Sequence, residues 1–255
     1  MDVVLGTLVL RPYVFAFLAS YLIVGATDLG WRRTLLFGAW VSPVAWLAEF
    51  CSTRTGVPFG FYTYTGHTRG QELFIADVPL MDPLSFTFLA YAAFCAARAV
   101  AGRHGSPGVV TVLGGVLMML LDVVIDPVAV RGDRWFLGHL FDYPNGGFYF
   151  GVPLANFVGW MVVGAVAIGG HIYWMGGFRH RAGGTAVDGD RYGAGTLGGI
   201  AIYYAVLGFN FAVTAWIGEW VLLTCGVIMH AVVGALLWVV RRRPVPWTGL
   251  ESQKA

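Results

Sequence analysis

The sequence predicts an all-α fold: a polytopic membrane helix bundle of about seven transmembrane helices, N-terminus outside and C-terminus cytoplasmic. Three observations carry this. Of 255 residues, 57% are hydrophobic and only 12% are charged, with a mean hydropathy of +0.69; a soluble domain dresses its surface with about a quarter of its residues charged. The apolar residues gather into runs near the roughly 20 residues that cross a hydrocarbon core of about 30 Å. Lys and Arg are unevenly shared between the two sides of those runs.

Taken in order, the runs lie near 5 to 26, 34 to 50, 80 to 100, 108 to 130, 151 to 176, 196 to 217 and 220 to 240. The first has no basic leader and contains Arg11, so it reads as a retained span and not as a signal peptide. Asp28, Gly30, Arg32 and Arg33 separate it from the second, and the stretches 102–107 and 179–192 carry similar loop punctuation. The break at Gly218 and Glu219 is the shortest. Residues 1–243 form one transmembrane domain in this reading, and 244–255 a cytoplasmic tail. Counting Lys and Arg by alternate sides gives eleven against five and sets the orientation stated above. The long loops 51–79 and 131–150 then lie outside, and loops of that length are usually functional.

Composition excludes other classes. With 10 Trp, 11 Tyr and 18 Phe the chain is too apolar for disorder. A net charge of +2 with scattered basic residues leaves no footprint for nucleic acid. Cys51, Cys95 and Cys225 form neither a disulfide framework nor a zinc motif. The six histidines make no HxxxH or HxxHH cluster, so no metal is expected. Lys254 is the only lysine, which excludes a buried retinal Schiff base. The run 193–198 matches GxGxxG but follows a polar loop and not a strand, so it reads as small-residue helix packing.

The informative residues are the acids within spans, because each costs about 2.5 to 3.5 kcal/mol at mid-membrane. They are Glu49, Asp82, Asp122 and Asp126, and the predicted topology brings all four to one depth near the outer interface. Asn156 starts the fifth helix at the same level. Asp122 and Asp126 stand four apart on one helix face. Two carboxyls so close, in poor hydration, do not both ionise readily, and the proton one retains makes it a general acid. Trp46, Phe59, Tyr62, Tyr64, Trp135 and Trp160 fall near the same level, where their ring faces can steady a carbocation. The plainer readings are that Asp126 ends a helix before Pro127, Asp82 begins one before Pro83, and Glu49 pairs with Arg54. Asn210 and His230 are polar points in the last two helices, and His230 reads as a hydrogen-bonded packing residue. What remains is cofactor-free acid-base chemistry on a bilayer-soluble polyene or terpenoid: hydration, isomerisation or cyclisation.

From Glu49 the chain runs Thr53, Arg54, Thr55, Gly56, Pro58, Phe59, Gly60, Tyr62, Tyr64 and Thr65. This resembles the E-x-x-x-T-R-T-G-x-P-F-G-x-Y-x-Y-T signature of the integral-membrane carotenoid biosynthesis family. Two later blocks agree with it: Asp122, Asp126, Pro127, Val128 and Trp135, then Tyr149, Gly151, Val152, Pro153, Asn156, Phe157, Gly159 and Trp160. Together they cover about residues 46 to 160, and Asp82 departs from the apolar residue expected at its place.

The resemblance implies a carotenoid 1,2-hydratase, a hydro-lyase that adds water across the terminal 1,2 double bond of an acyclic carotenoid end group and leaves a tertiary alcohol. Protonation at C2 would place a tertiary cation at C1. The acid is assigned to the Asp122 and Asp126 pair, water orientation to Glu49, and the holding of water or a carboxyl to Asn156, with the roles exchangeable. The basic outer loops favour a γ-carotene or lycopene type of substrate over bisanhydrobacterioruberin. The expected partners are carotenoid, water, membrane lipid and other carotenoid-pathway enzymes, in the cell (inner) membrane. The rival readings are a membrane-embedded lycopene cyclase and a non-enzymatic carotenoid-binding or transport protein.

Overall fold

A computed structural model describes residues 2–102, 105–176 and 193–242. The loop 179–192 and the tail 244–255 lie outside the described residues. Among the described residues the chain forms eight α-helices: α1 Val3–Leu10, α2 Pro12–Asp28, α3 Trp31–Thr55, α4 Met81–Ala101, α5 Pro107–Ala129, α6 Leu154–Trp174, α7 Ala194–Trp216 and α8 Trp220–Arg242. Six are long and apolar enough to cross a membrane, and the bent pair α1 and α2 brings the number to seven. The molecule is a polytopic helical membrane protein.

The first predicted span needs correction. Residues 5 to 26 are not one helix: the chain turns by 82° between α1 and α2. Arg11 leaves helical geometry at φ −118° and ψ 43°, and Pro12 restarts the helix at its first position, where its missing N–H costs nothing. At eight residues α1 is about 12 Å long, too short to cross. The bend is anchored by the Arg11 side chain, which is 1% exposed. The other limits follow local chemistry. Gly56, at φ +78°, ends α3 with a left-handed cap. Ser106 caps α5 by accepting from Val109 N–H, and Pro107 opens it. The fifth predicted span begins three residues late, at Leu154 after Pro153.

Helix α4 is the central element, with Phe86 to Cys95 buried throughout. Helices α5 and α6 approach each other closely. A Cβ on Gly115 would meet the Met161 carbonyl oxygen at 2.5 Å, and one on Gly164 would meet Met118 Sδ at 2.9 Å. Glycines bring α7 onto α2 in the same way: a Cβ on Gly195 would lie 2.4 Å from Asp28 Cβ, and one on Gly198 2.6 Å from Val24 Cγ1. The GxGxxG run is therefore a packing surface.

Both long loops lie at one end of the bundle and are joined there. Strand β1 (Thr63–Tyr64) pairs antiparallel with β4 (Phe141–Asp142), while β2 (Phe74–Ile75) and β3 (Val78–Pro79) make a second small ribbon. Thr65 N–H adds a bond to the Leu140 carbonyl at 2.9 Å. The β1 and β4 ribbon roofs the helix ends beneath it.

Candidate active site

Under that roof lies a partly open cavity. Its apolar walls come from α2, α4 and α7, among them Phe17, Phe88, Leu89, Val206 and Phe209, and the roof adds Leu140, Phe141 and Tyr143. Among its polar groups are Arg11, Glu49, Asp82, Asp126, Asn156 and Asn210, with the phenols of Tyr62 and Tyr64. Three of the four predicted acids thus face one space. The fourth, Asp122, is 0% exposed and stands one helical turn behind Asp126.

Helix register brings the Asp122 and Asp126 pair to α6. The Asn156 amide Nδ2 donates to Asp122 Oδ2 at 2.6 Å and to Asp126 Oδ2 at 2.8 Å, using both of its N–H bonds. The Tyr143 hydroxyl donates to Asp126 Oδ2 at 3.3 Å. The partners of this pair are therefore neutral donors. Asp122 Oδ1 is buried without a hydrogen-bond partner among the described residues.

Across the cavity, Glu49 Oε2 accepts from the Tyr64 hydroxyl at 2.8 Å. The plainer reading of Glu49 as a partner of Arg54 does not hold, since Arg54 bonds Asp77 at 3.1 Å. Asp82 is more than a helix start: its Oδ1 accepts from Arg11 Nη1 at 3.0 Å. Arg11 also grips Glu72 with two bonds of 2.9 Å, from Nε and Nη2. Burial, and after it the neighbouring carboxyls, pushes the phenols of Tyr62, Tyr64 and Tyr143 above their ordinary range. They stay protonated, and Tyr64 and Tyr143 donate to Glu49 and Asp126.

Of the predicted aromatics, Phe59, Tyr62, Tyr64, Trp135 and Trp160 line the cavity. Trp46 does not. It stacks on Phe50 with centroids 5.0 Å apart and donates to the Ile75 carbonyl at 3.3 Å. Trp160 stacks on Phe86 at 4.2 Å. Asn210 lines the cavity while its amide donates to the Val206 carbonyl at 2.9 Å. His230 does not line the cavity, and its Nδ1 lies 2.8 Å from the Gly226 carbonyl oxygen.

Sequence reasoning missed Arg11, Glu72, Tyr143 and Phe86 as members of the site. Arg11 carries a usable signal, being a charge inside an apolar run. Glu72 and Tyr143 sit in loops without periodicity, so nothing local marks them.

A family model described as carotenoid biosynthesis protein matches residues 1–240. The chain is also similar to a bisanhydrobacterioruberin hydratase of Haloarcula japonica, with 31% identity over 148 residues, 58% of this chain and 47% of that one. It thus spans about half the length of the curated relative that it matches. No solved structure matches it.

Proposed function

This chain belongs to the carotenoid biosynthesis family, and from that premise we propose that it is a membrane-embedded carotenoid hydratase. Its reaction adds water across the terminal 1,2 double bond of an acyclic end group of the γ-carotene or lycopene type. The observation that carries the reading is the Asn156 amide holding two carboxyls, Asp122 and Asp126, beside an aromatic-lined cavity. The hydratase name of the Haloarcula relative supports the same chemistry.

Among the described residues the pair has no cation as a hydrogen-bond partner, so one proton shared between its oxygens relieves the repulsion of two buried negative charges. Asp126 faces the cavity and delivers that proton to C2. The rings of Trp160, Phe86 and Phe59 flank the end group while C1 is cationic. Glu49, fixed by Tyr64, orients the water that attacks C1. The apolar length between α2, α4 and α7 takes the adjoining polyene, and the site works in the cell membrane without a cofactor.

The test is expression in a host making lycopene or γ-carotene, with mass analysis of the pigments. The expected product has gained one water whose oxygen comes from labelled solvent and not from dioxygen. A cyclised isomer without added oxygen would instead mark a cyclase. Asp126→Asn and Asp122→Asn are expected to lower hydration by about 100-fold or more, the usual worth of a positioned acid. Full activity in both would overturn the assignment.

A further inference from the structure

The cavity holds two sets of carboxyls in different company. Asp122 and Asp126 are served by neutral donors, Asn156 and Tyr143. Asp82 is bound by the buried guanidinium of Arg11, at 3.0 Å. We propose that Asp82 is the carboxylate that takes the proton from the attacking water, and that Arg11 is its positioning residue. This deepens the hydratase reading above and rests on it.

The geometry separates the two acids that share Arg11. Glu72 takes two of the guanidinium bonds and its side chain is 0% exposed, so it is sealed from the cavity. The Asp82 side chain is 23% exposed and lines the cavity. The triad sets one cation against two carboxyls, and Asp82 is the member that faces the cavity. With Oδ1 pinned by the guanidinium and the Tyr64 hydroxyl also against it, this carboxyl presents its remaining lone pairs to water in a fixed direction. Glu49 lacks such an anchor, since its hydrogen-bond donor is the neutral Tyr64 phenol. Glu49 thus orients the water, and Asp82 receives its proton and opposes the charge at C1. The bend between α1 and α2 is what delivers Arg11 to this place.

The balance is simple. The π electrons of the C1–C2 bond take the proton of the Asp122 and Asp126 pair to form a C–H bond at C2. A water lone pair forms the C–O bond at C1. One O–H bond of that water breaks and its proton passes to Asp82. Return of this proton through water to the pair restores the enzyme.

The experiment uses membranes carrying the full chain, supplied with lycopene in D2O, and reads two quantities: hydrated product, and deuterium at C2 of recovered lycopene. Asp82→Asn is expected to lower hydration by about 100-fold or more, while deuterium still enters recovered substrate because protonation at C2 and its reversal remain. Retention of hydration would overturn the proposal, and so would loss of both signals. Because Arg11→Gln alone would strand buried Glu72, the matching variant is Arg11→Gln with Glu72→Gln, which removes the buried pair together. It is expected to show the same split between exchange and hydration. Arg11→Lys with native Glu72 should recover hydration to within about tenfold of the unchanged protein, since it keeps the charge but loses the fork geometry. Full hydration by the double variant would remove Arg11 from the role. If the unchanged protein neither hydrates lycopene or γ-carotene nor exchanges deuterium, it is the hydratase reading that fails.

Discussion

A single amide, that of Asn156, donates to two carboxyl oxygens 2.6 and 2.8 Å away. Asn156→Asp keeps size and shape but replaces both donors with acceptors, placing a third carboxyl against two. Each oxygen left unsatisfied costs about 1–3 kcal/mol when buried. Detergent-solubilised Asn156→Asp is therefore expected to unfold at lower temperature, and hydration to fall by about 100-fold or more as the pair loses its fixed geometry. A variant with unchanged melting and unchanged pigment conversion would show the bridge to be incidental. Tyr64→Phe is a milder probe, since it keeps the ring and removes only the donor to Glu49. It should cost about 1 kcal/mol of stability and lower the hydration rate by about tenfold. At this scale the sequence was legible where a charge was expensive. Glu49, Asp122 and Asp126 announced themselves by lying in apolar runs, whereas Glu72 and Tyr143 lie in loops where polarity carries no cost and hence no signal.

Two helices must approach closely for that amide to meet those carboxyls, and glycine permits it. Gly115 lies two turns before Asp122 on α5, and the Met161 carbonyl oxygen of α6 occupies the space beside it, 2.5 Å from where a Cβ would be. Backbone cannot swing away as a side chain does. Gly115→Ala is therefore expected to push α5 from α6, costing about 1–3 kcal/mol, with activity falling by about tenfold or more as Asp122 and Asp126 draw back from Asn156. Gly208→Ala on α7 is the control: nothing lies within 4 Å of its Cβ position, and the exchange favours helix by about 0.8–1.0 kcal/mol. Equal behaviour of the two variants, in melting and in pigment conversion, would contradict this account of the packing. Helix existence was legible from apolar runs of the right length. Which glycine faces which neighbour was not, because small residues mark close approach without naming the partner. The α1 and α2 bend escaped for a related reason: a window long enough to find a span averages over Arg11 and Pro12, and the side chain at the turn is held by Glu72, 61 residues away.

Every polar element of the site sits at one end of the molecule, which ties the chemistry to the orientation in the membrane. The start of α2 meets the start of α4 through Arg11 and Asp82, the end of α5 meets the start of α6 through Asp126 and Asn156, and Arg134 ties the loop after α5 to Glu219 at the turn before α8. At this end the arginines are matched by acids: Arg11 by Glu72 and Asp82, Arg54 and Arg69 by Asp77, Arg131 and Arg134 by Glu219. The opposite end holds Arg32 and Arg33 at the start of α3, Arg98 at the end of α4 paired with Asp28, and Arg241 and Arg242 at the end of α8. We propose from the Lys and Arg bias of the sequence that this opposite end is cytoplasmic, so that the site would take its water from outside. In spheroplasts bearing a variant that lacks the native cysteines, Gln71→Cys in the exposed loop near the roof should react with a membrane-impermeant maleimide. Arg32→Cys should react only after lysis. The reverse pattern would turn the bundle over, and the proton and the water would then both be drawn from the cytoplasm, making hydration sensitive to cytoplasmic rather than external pH. Following pigment conversion while only the external pH is changed measures that directly: the rate is expected to follow the external value.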